Sequence, residues 1–148
     1  MITNLNASDA MELDIIIAHE IGHNWFQGVL ANDERTYAWM DEGFNSYFEN
    51  KYAETFYSKK ELGMMNLGKR LLHYSILSEN RDLPFNTPSV NQDMYNFINN
   101  SYTKSAKWLQ LLNDKIGDSA FSKVIKTYYR NWQFKHPLPE DFKQVENS

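Results

Sequence analysis

The 148-residue chain has no cysteine. Disulfides and thiolate metal sites are therefore excluded, and a transition metal would have to be held by His, Asp or Glu. Breakers are scarce: there are six Gly and four Pro, the latter only at 84, 88, 137 and 139. The stretches between them are free to be long helices. No apolar run is longer than IIIA at 15–18, far short of the roughly 20 residues that span a bilayer. No transmembrane segment is therefore expected. The opening MITNLNASDA has neither the basic start nor the apolar stretch of a signal peptide. Charge of one sign is not clustered either. Fifteen Lys and Arg face nineteen Asp and Glu, for a formal −4, with no basic block, so nucleic acid is not an expected partner.

What the chain does have is apolar and aromatic mass. Hydrophobic residues make up 42% and aromatics 15%, with nine Tyr, nine Phe and four Trp. That suffices for the interior of a single domain over residues 1–148. Ser8 and Asp9 read as the cap of a first helix that carries MELDIIIAHEIGHNWFQGVL and ends at the turn AND of 31–33. A second runs from about Tyr37 to Tyr57, its aromatics Trp39, Phe44, Tyr47 and Phe48 recurring at helical steps. A third covers about Lys60 to Glu79, weakened by Gly63 and Gly68. Residues 81–104, rich in Asn, Pro and Ser, read as an irregular loop. Helices over 105–116 and 118–134 follow, divided by Gly117, and after HPLP a last one begins at EDF. No strand pattern and no repeat occurs. The expected fold is all-α.

Within the first helix, His19 and His23 lie four positions apart, so they project from one face a turn from each other. That spacing lets two imidazoles reach one tetrahedral ion, and Glu20 is placed to act on a water there as a general base. HExxH alone does not separate a metal site from two histidines packed on a helix. A catalytic zinc needs a third protein ligand and an open fourth position, and without Cys a carboxylate is the natural third. Eighteen residues separate His23 from Glu42, in WMDEGFNSYFE, on a helix that can return antiparallel. Asp41 competes, but on an α-helix it faces about 100° away from its neighbour, which favours Glu42. Asn45 and Ser46, three and four positions on, either lean toward a ligand imidazole or face solvent. His73 and His136 have no motif around them and read as surface or core residues.

HEIGHNWFQG followed by WMDEGFNSYFE resembles the gluzincin aminopeptidases, the aminopeptidase N-like family, with its HExxHxWF and a tryptophan-containing helix bearing EGFxxY. Downstream, SYTKSAKWLQLLNDKIGDSAF is similar to the family's Tyr-x-Lys-Gly-Ala stretch and the helices after it, with Ser105 where the family usually has Gly. The resemblance covers about residues 14–143. It implies the helical part of a thermolysin-like catalytic domain, one zinc per chain on His19, His23 and Glu42, and a peptide substrate. Glu20 is then the general base and Tyr102 the donor to the oxyanion of the tetrahedral intermediate, a role for which Tyr95, in the same stretch, is the alternative. Trp25 and Phe26 are expected to pack the core beneath the metal.

The family's Gly-x-Met-Glu-Asn-like motif, whose glutamate takes the substrate's α-amino group, has no counterpart here. MITNLN looks like the tail of the strand that carries it, and QVENS stops inside a helix. On the resemblance the chain reads as a piece of a larger peptidase, with apolar surface uncovered and prone to self-association. Full-length members are often exported or membrane-associated, but these residues carry no address. The alternatives are a metal-binding or interaction domain without turnover, and a parent with endopeptidase or epoxide hydrolase-like activity.

Overall fold

The computed structural model describes residues 6–146. Met1–Leu5, read above as the tail of a strand, lie outside the described residues, as do the last two of QVENS. Among the described residues every regular element is helical, as expected. No helix among them is long and apolar enough to cross a membrane.

Helix α1 is Ala7–His23, and its cap is Asn6, not Ser8 or Asp9. The Asn6 Oδ1 accepts from the backbone of Asp9 (2.9 Å), satisfying one of the orphan donors of the first turn. The helix does not stop at His23 but widens into a π turn, Asn24–Val29, and ends where Ala31 turns left-handed (φ 52°). A second π turn, Trp39–Gly43, opens α2, Phe44–Phe56.

The expected third helix is two. Helix α3, Lys59–Met65, starts with a reciprocal capping box between Ser58 and Glu61, and α4 is Leu67–Ser78. The break falls at Asn66, between the two glycines expected to weaken it. The stretch read as irregular holds more order than expected. After a 3-10 turn at Ser89–Asn91 come α5, Met94–Ile98, and a third π turn, Asn99–Lys104. Helices α6, Ser105–Ile116, and α7, Asp118–Trp132, meet at Gly117, whose φ of 85° suits a residue without a Cβ. Helix α8 is Pro139–Glu146.

The order in 94–104 has a physical source. Its asparagines, poor helix formers in isolation, are used as buried hydrogen-bonding groups. Asn96 donates to the carbonyl of Arg81 (3.0 Å) and accepts from Leu83 N (3.2 Å), and Asn100 donates to Gln92 Oε1 (3.0 Å). Asp93 caps α5 through Asn96 N (2.8 Å). Tertiary partners outweigh local propensity.

The main core lies between α2, α6, α7 and α8 and is largely aromatic. Phe44, fully buried, stacks on Tyr128 and on Phe26 (centroids 5.8 and 5.5 Å) and meets Phe142 edge-on (4.9 Å). Such rings bury large areas and hold one another at fixed angles, which anchors the start of α2 just beyond the second π turn. A smaller cluster, Met11, Ile15 and Ala53, joins α1 to α2.

Candidate metal centre

Helix α1 crosses α2 closely because position 22 has no side chain. A Cβ on Gly22 would lie 1.7 Å from Asn45 Oδ1. In its absence the Asn45 amide reaches α1 and donates to the carbonyl of His19 (2.7 Å). Asn45 thus leans on the ligand-bearing helix through its backbone, while Ser46 is buried nearby on α2.

This crossing sets His19 and His23 opposite the second π turn. His19 Nε2 lies 3.2 Å and His23 Nε2 3.6 Å from one oxygen, Oε2 of Glu42. The three donor atoms fall within 4.8 Å of one another. A tetrahedral ion about 2.0–2.1 Å from each donor needs edges of about 3.3 Å. The two separations from Glu42 Oε2 are close to that edge, and the donor types, two nitrogens and one carboxylate oxygen, suit such an ion, with no fourth protein donor among the described residues.

The far nitrogen of each imidazole is held by a second carboxylate. His19 Nδ1 donates to Glu49 Oε2 (2.7 Å) and His23 Nδ1 to Asp41 Oδ1 (2.8 Å). Carboxylates only accept, so each Nδ1 carries a proton, and each Nε2 is turned toward Glu42, to which His19 Nε2 also donates (3.2 Å). Outer carboxylates of this kind fix ring orientation and raise the basicity of a ligating imidazole. Asp41 therefore does not converge on the same point as Glu42; it holds the His23 ring. It reaches His23 while its neighbour Glu42 faces both histidines, because a π turn takes more residues per turn and draws successive side chains toward one side.

The electrostatics suit a cation. Burial pulls the His19 imidazolium down, but hydrogen bonds and charge from Glu42 and Glu49 outweigh it and hold it up at about 9. Burial raises Glu42, and the hydrogen bonds from His19 and Tyr102 overcome this and bring it below its ordinary value. For Asp41 burial prevails over His23, and the carboxyl sits at about 6.

A cavity of about 320 Å³ opens beside this group, lined by Ile15, Ile16, His19, Glu20, Lys69 and Tyr102. Glu20 is exposed on its wall. Tyr102, on the third π turn, donates to Glu42 Oε1 (2.7 Å). Tyr95 is 55% exposed on α5, with the Arg81 guanidinium over its ring (5.7 Å). Of the two tyrosines it is Tyr102 that reaches Glu42.

The peptidase family M1 domain matches residues 2–147, nearly the whole chain. The chain belongs to peptidase family M1. Among curated relatives of this M1 chain, rat aminopeptidase N is 28% identical over 131 residues, 83% of the chain and 13% of the relative. Human endoplasmic reticulum aminopeptidase 2 is 27% identical over 140 residues, 92% of the chain and 14% of the relative. Glutamyl aminopeptidase of Bitis rhinoceros is 29% identical over 140 residues, 92% and 15%. The M1 chain thus spans about one seventh of the curated relatives it matches. No solved structure matches it.

Sequence reasoning about this M1 chain missed Glu49 and the part played by Asp41. Glu49 stands seven positions beyond Glu42, two helical turns on and so near the same face, which is the signal that was there to be read. Trp25 departs from expectation: it is 49% exposed, and only Phe26 packs inward. His73 pairs with Asn99 Oδ1 (3.1 Å) and His136 with the carbonyl of Ala31 (2.8 Å), both away from the metal group.

Proposed function

We propose that residues 1–148 form one domain, the metal-binding helical part of a zinc aminopeptidase that hydrolyses N-terminal peptide bonds. The observation that carries this reading is the convergence of His19, His23 and Glu42 on one point, with each imidazole backed by a carboxylate. Two imidazole nitrogens and a single carboxylate match the donor chemistry of a catalytic zinc with one position open to water. Bound there, zinc supplies a Lewis acid and a water acidified to near neutral pH.

The chain's own residues then have distinct tasks. Glu20, on the cavity wall, accepts the proton of the attacking water and passes it to the leaving amine. Tyr102 keeps its proton, since burial and the nearby Glu42 carboxylate push the phenol up, and its one O–H, held by Glu42 in the free site, turns to the oxyanion as that charge forms. Ile15 and Ile16 give the cavity an apolar wall against which a peptide side chain can rest.

Zinc per chain in the dialysed protein, measured by plasma mass spectrometry, tests the site. About one zinc is expected, lost in Glu42→Ala. Glu20→Gln should keep its zinc and lower the hydrolysis of amino-acid arylamides by about 10²–10⁴-fold. A chain that takes up no zinc defeats the reading. Zinc uptake with hydrolysis indifferent to Glu20→Gln leaves a metal-binding domain without turnover.

A further inference from the structure

Tyr102 does not face the cavity alone. Its hydroxyl donates to Oε1 of Glu42 (2.7 Å), whereas Oε2 of the same carboxylate faces His19 Nε2 and His23 Nε2 (3.2 and 3.6 Å). The two oxygens thus have separate partners, one protein donor and one pair of imidazoles. The phenol ring lies nearly parallel to that of His19 (22°, centroids 6.1 Å apart), so its position is set against a second ligand as well.

The backbone that presents Tyr102 is locked to the backbone that presents Glu42. Ser105 Oγ donates to the carbonyl of Ser101 (2.6 Å) within the third π turn. A Cβ on Gly43, the residue after Glu42, would sit 2.7 Å from Ser105 Cβ and 3.3 Å from the Ser101 carbonyl. The second π turn therefore packs closely against the Ser101 backbone of the third and the side chain that opens α6, beside Glu42. A glutamate has three side-chain torsions to fix, and the phenol removes the freedom of the last of them.

We propose that Tyr102 is a positioning residue for the metal, holding Oε1 so that Glu42 offers Oε2 alone to the ion. This rests on the assignment of His19, His23 and Glu42 as ligands, and it is independent of any contact between Tyr102 and substrate. Outer partners of metal ligands typically contribute about 10–100-fold to metal affinity. Removing one hydroxyl should then release the metal, not merely slow hydrolysis.

The test is zinc affinity by competition with a chromophoric chelator, for the unaltered chain, Tyr102→Phe and Tyr95→Phe. A zinc dissociation constant raised about 10–100-fold in Tyr102→Phe alone is expected; a value within about twofold of the unaltered chain overturns the proposal. Should Tyr102→Phe also weaken the fold, the visible absorption of the cobalt(II)-saturated protein decides. A shifted band reports a carboxylate that has changed its mode of binding, and an unchanged band overturns the proposal. If the unaltered chain binds neither metal, the ligand assignment fails, and this inference with it.

Discussion

Glu49 joins three elements through one carboxylate. Its Oε2 accepts from His19 Nδ1 (2.7 Å) and its Oε1 lies 3.5 Å from Lys69 Nζ on α4. With its side chain only 8% exposed, it has little water to fall back on, and burial raises it while His19 and Lys69 bring it below its ordinary value. Glu49→Ala should free the His19 ring and weaken zinc binding about 10–100-fold in a competition titration. Glu49→Gln, which still accepts from Nδ1, should lose less. Equal affinities for all three proteins would mean that His19 needs no outer support. The convergence of His19, His23 and Glu42 was legible: a four-residue step puts His19 and His23 on one face, and a chain without Cys leaves carboxylates as the remaining anionic donors. Their supports were not, because Asp41 was read on an α-helix of 100° per residue, whereas the chain there takes a π turn.

Among elements, the crossing of α1 and α2 depends on a single glycine. In most helices Gly→Ala stabilises by up to about 1 kcal/mol. At Gly22 the added methyl would meet Asn45 Oδ1 at 1.7 Å and push the amide off the His19 carbonyl. Gly22→Ala should therefore destabilise by about 1–3 kcal/mol in urea unfolding, from strain and a lost buried hydrogen bond. Gly68→Ala in α4, where nothing lies within 4 Å, should go the other way. The same sign at both sites would contradict the account. Boundaries of α6 and α7 could be read from Gly117, because a left-handed backbone there is a local requirement. The helix within 94–104 could not. Its asparagines look like loop residues until the carbonyl of Arg81 and the side chain of Gln92 are brought to them by the fold.

At the scale of the whole molecule, the metal group is where helices far apart in the chain meet. His19 and His23 come from α1, Glu42 from the entry to α2, and Tyr102 from the turn leading into α6. An ion that binds only the folded chain adds about 2.7 kcal/mol at a hundredfold excess over its dissociation constant. For a domain of this size that corresponds to roughly 5–10 °C in melting temperature. Dialysis against a chelator should remove this increment, and Glu42→Ala should show no response to it in calorimetry. The outer side of α1 is a different kind of surface, with Leu13, Ile17, Ile21 and Trp25 each 45–50% exposed. Helix α4 shows Leu67, Leu71, Tyr74 and Leu77 in a helical stripe. Apolar faces of this extent favour association, so the chain alone should gain mass with concentration in sedimentation velocity. A monomer over the whole accessible range would contradict this.

The three widened turns carry a consequence for how the gene can vary. Asp41 with Glu42, and Tyr102, sit within such turns, and His23 immediately precedes one. A π turn holds one residue more than the α turn it replaces. Loss of a single codon inside Trp39–Gly43 would thus leave a stretch still able to form a helix. It would nonetheless rotate one acid away from its imidazole. Whole-codon insertions and deletions should be tolerated in this chain's loops at little cost, whereas a change in the count of residues through these three turns should disturb the candidate metal group.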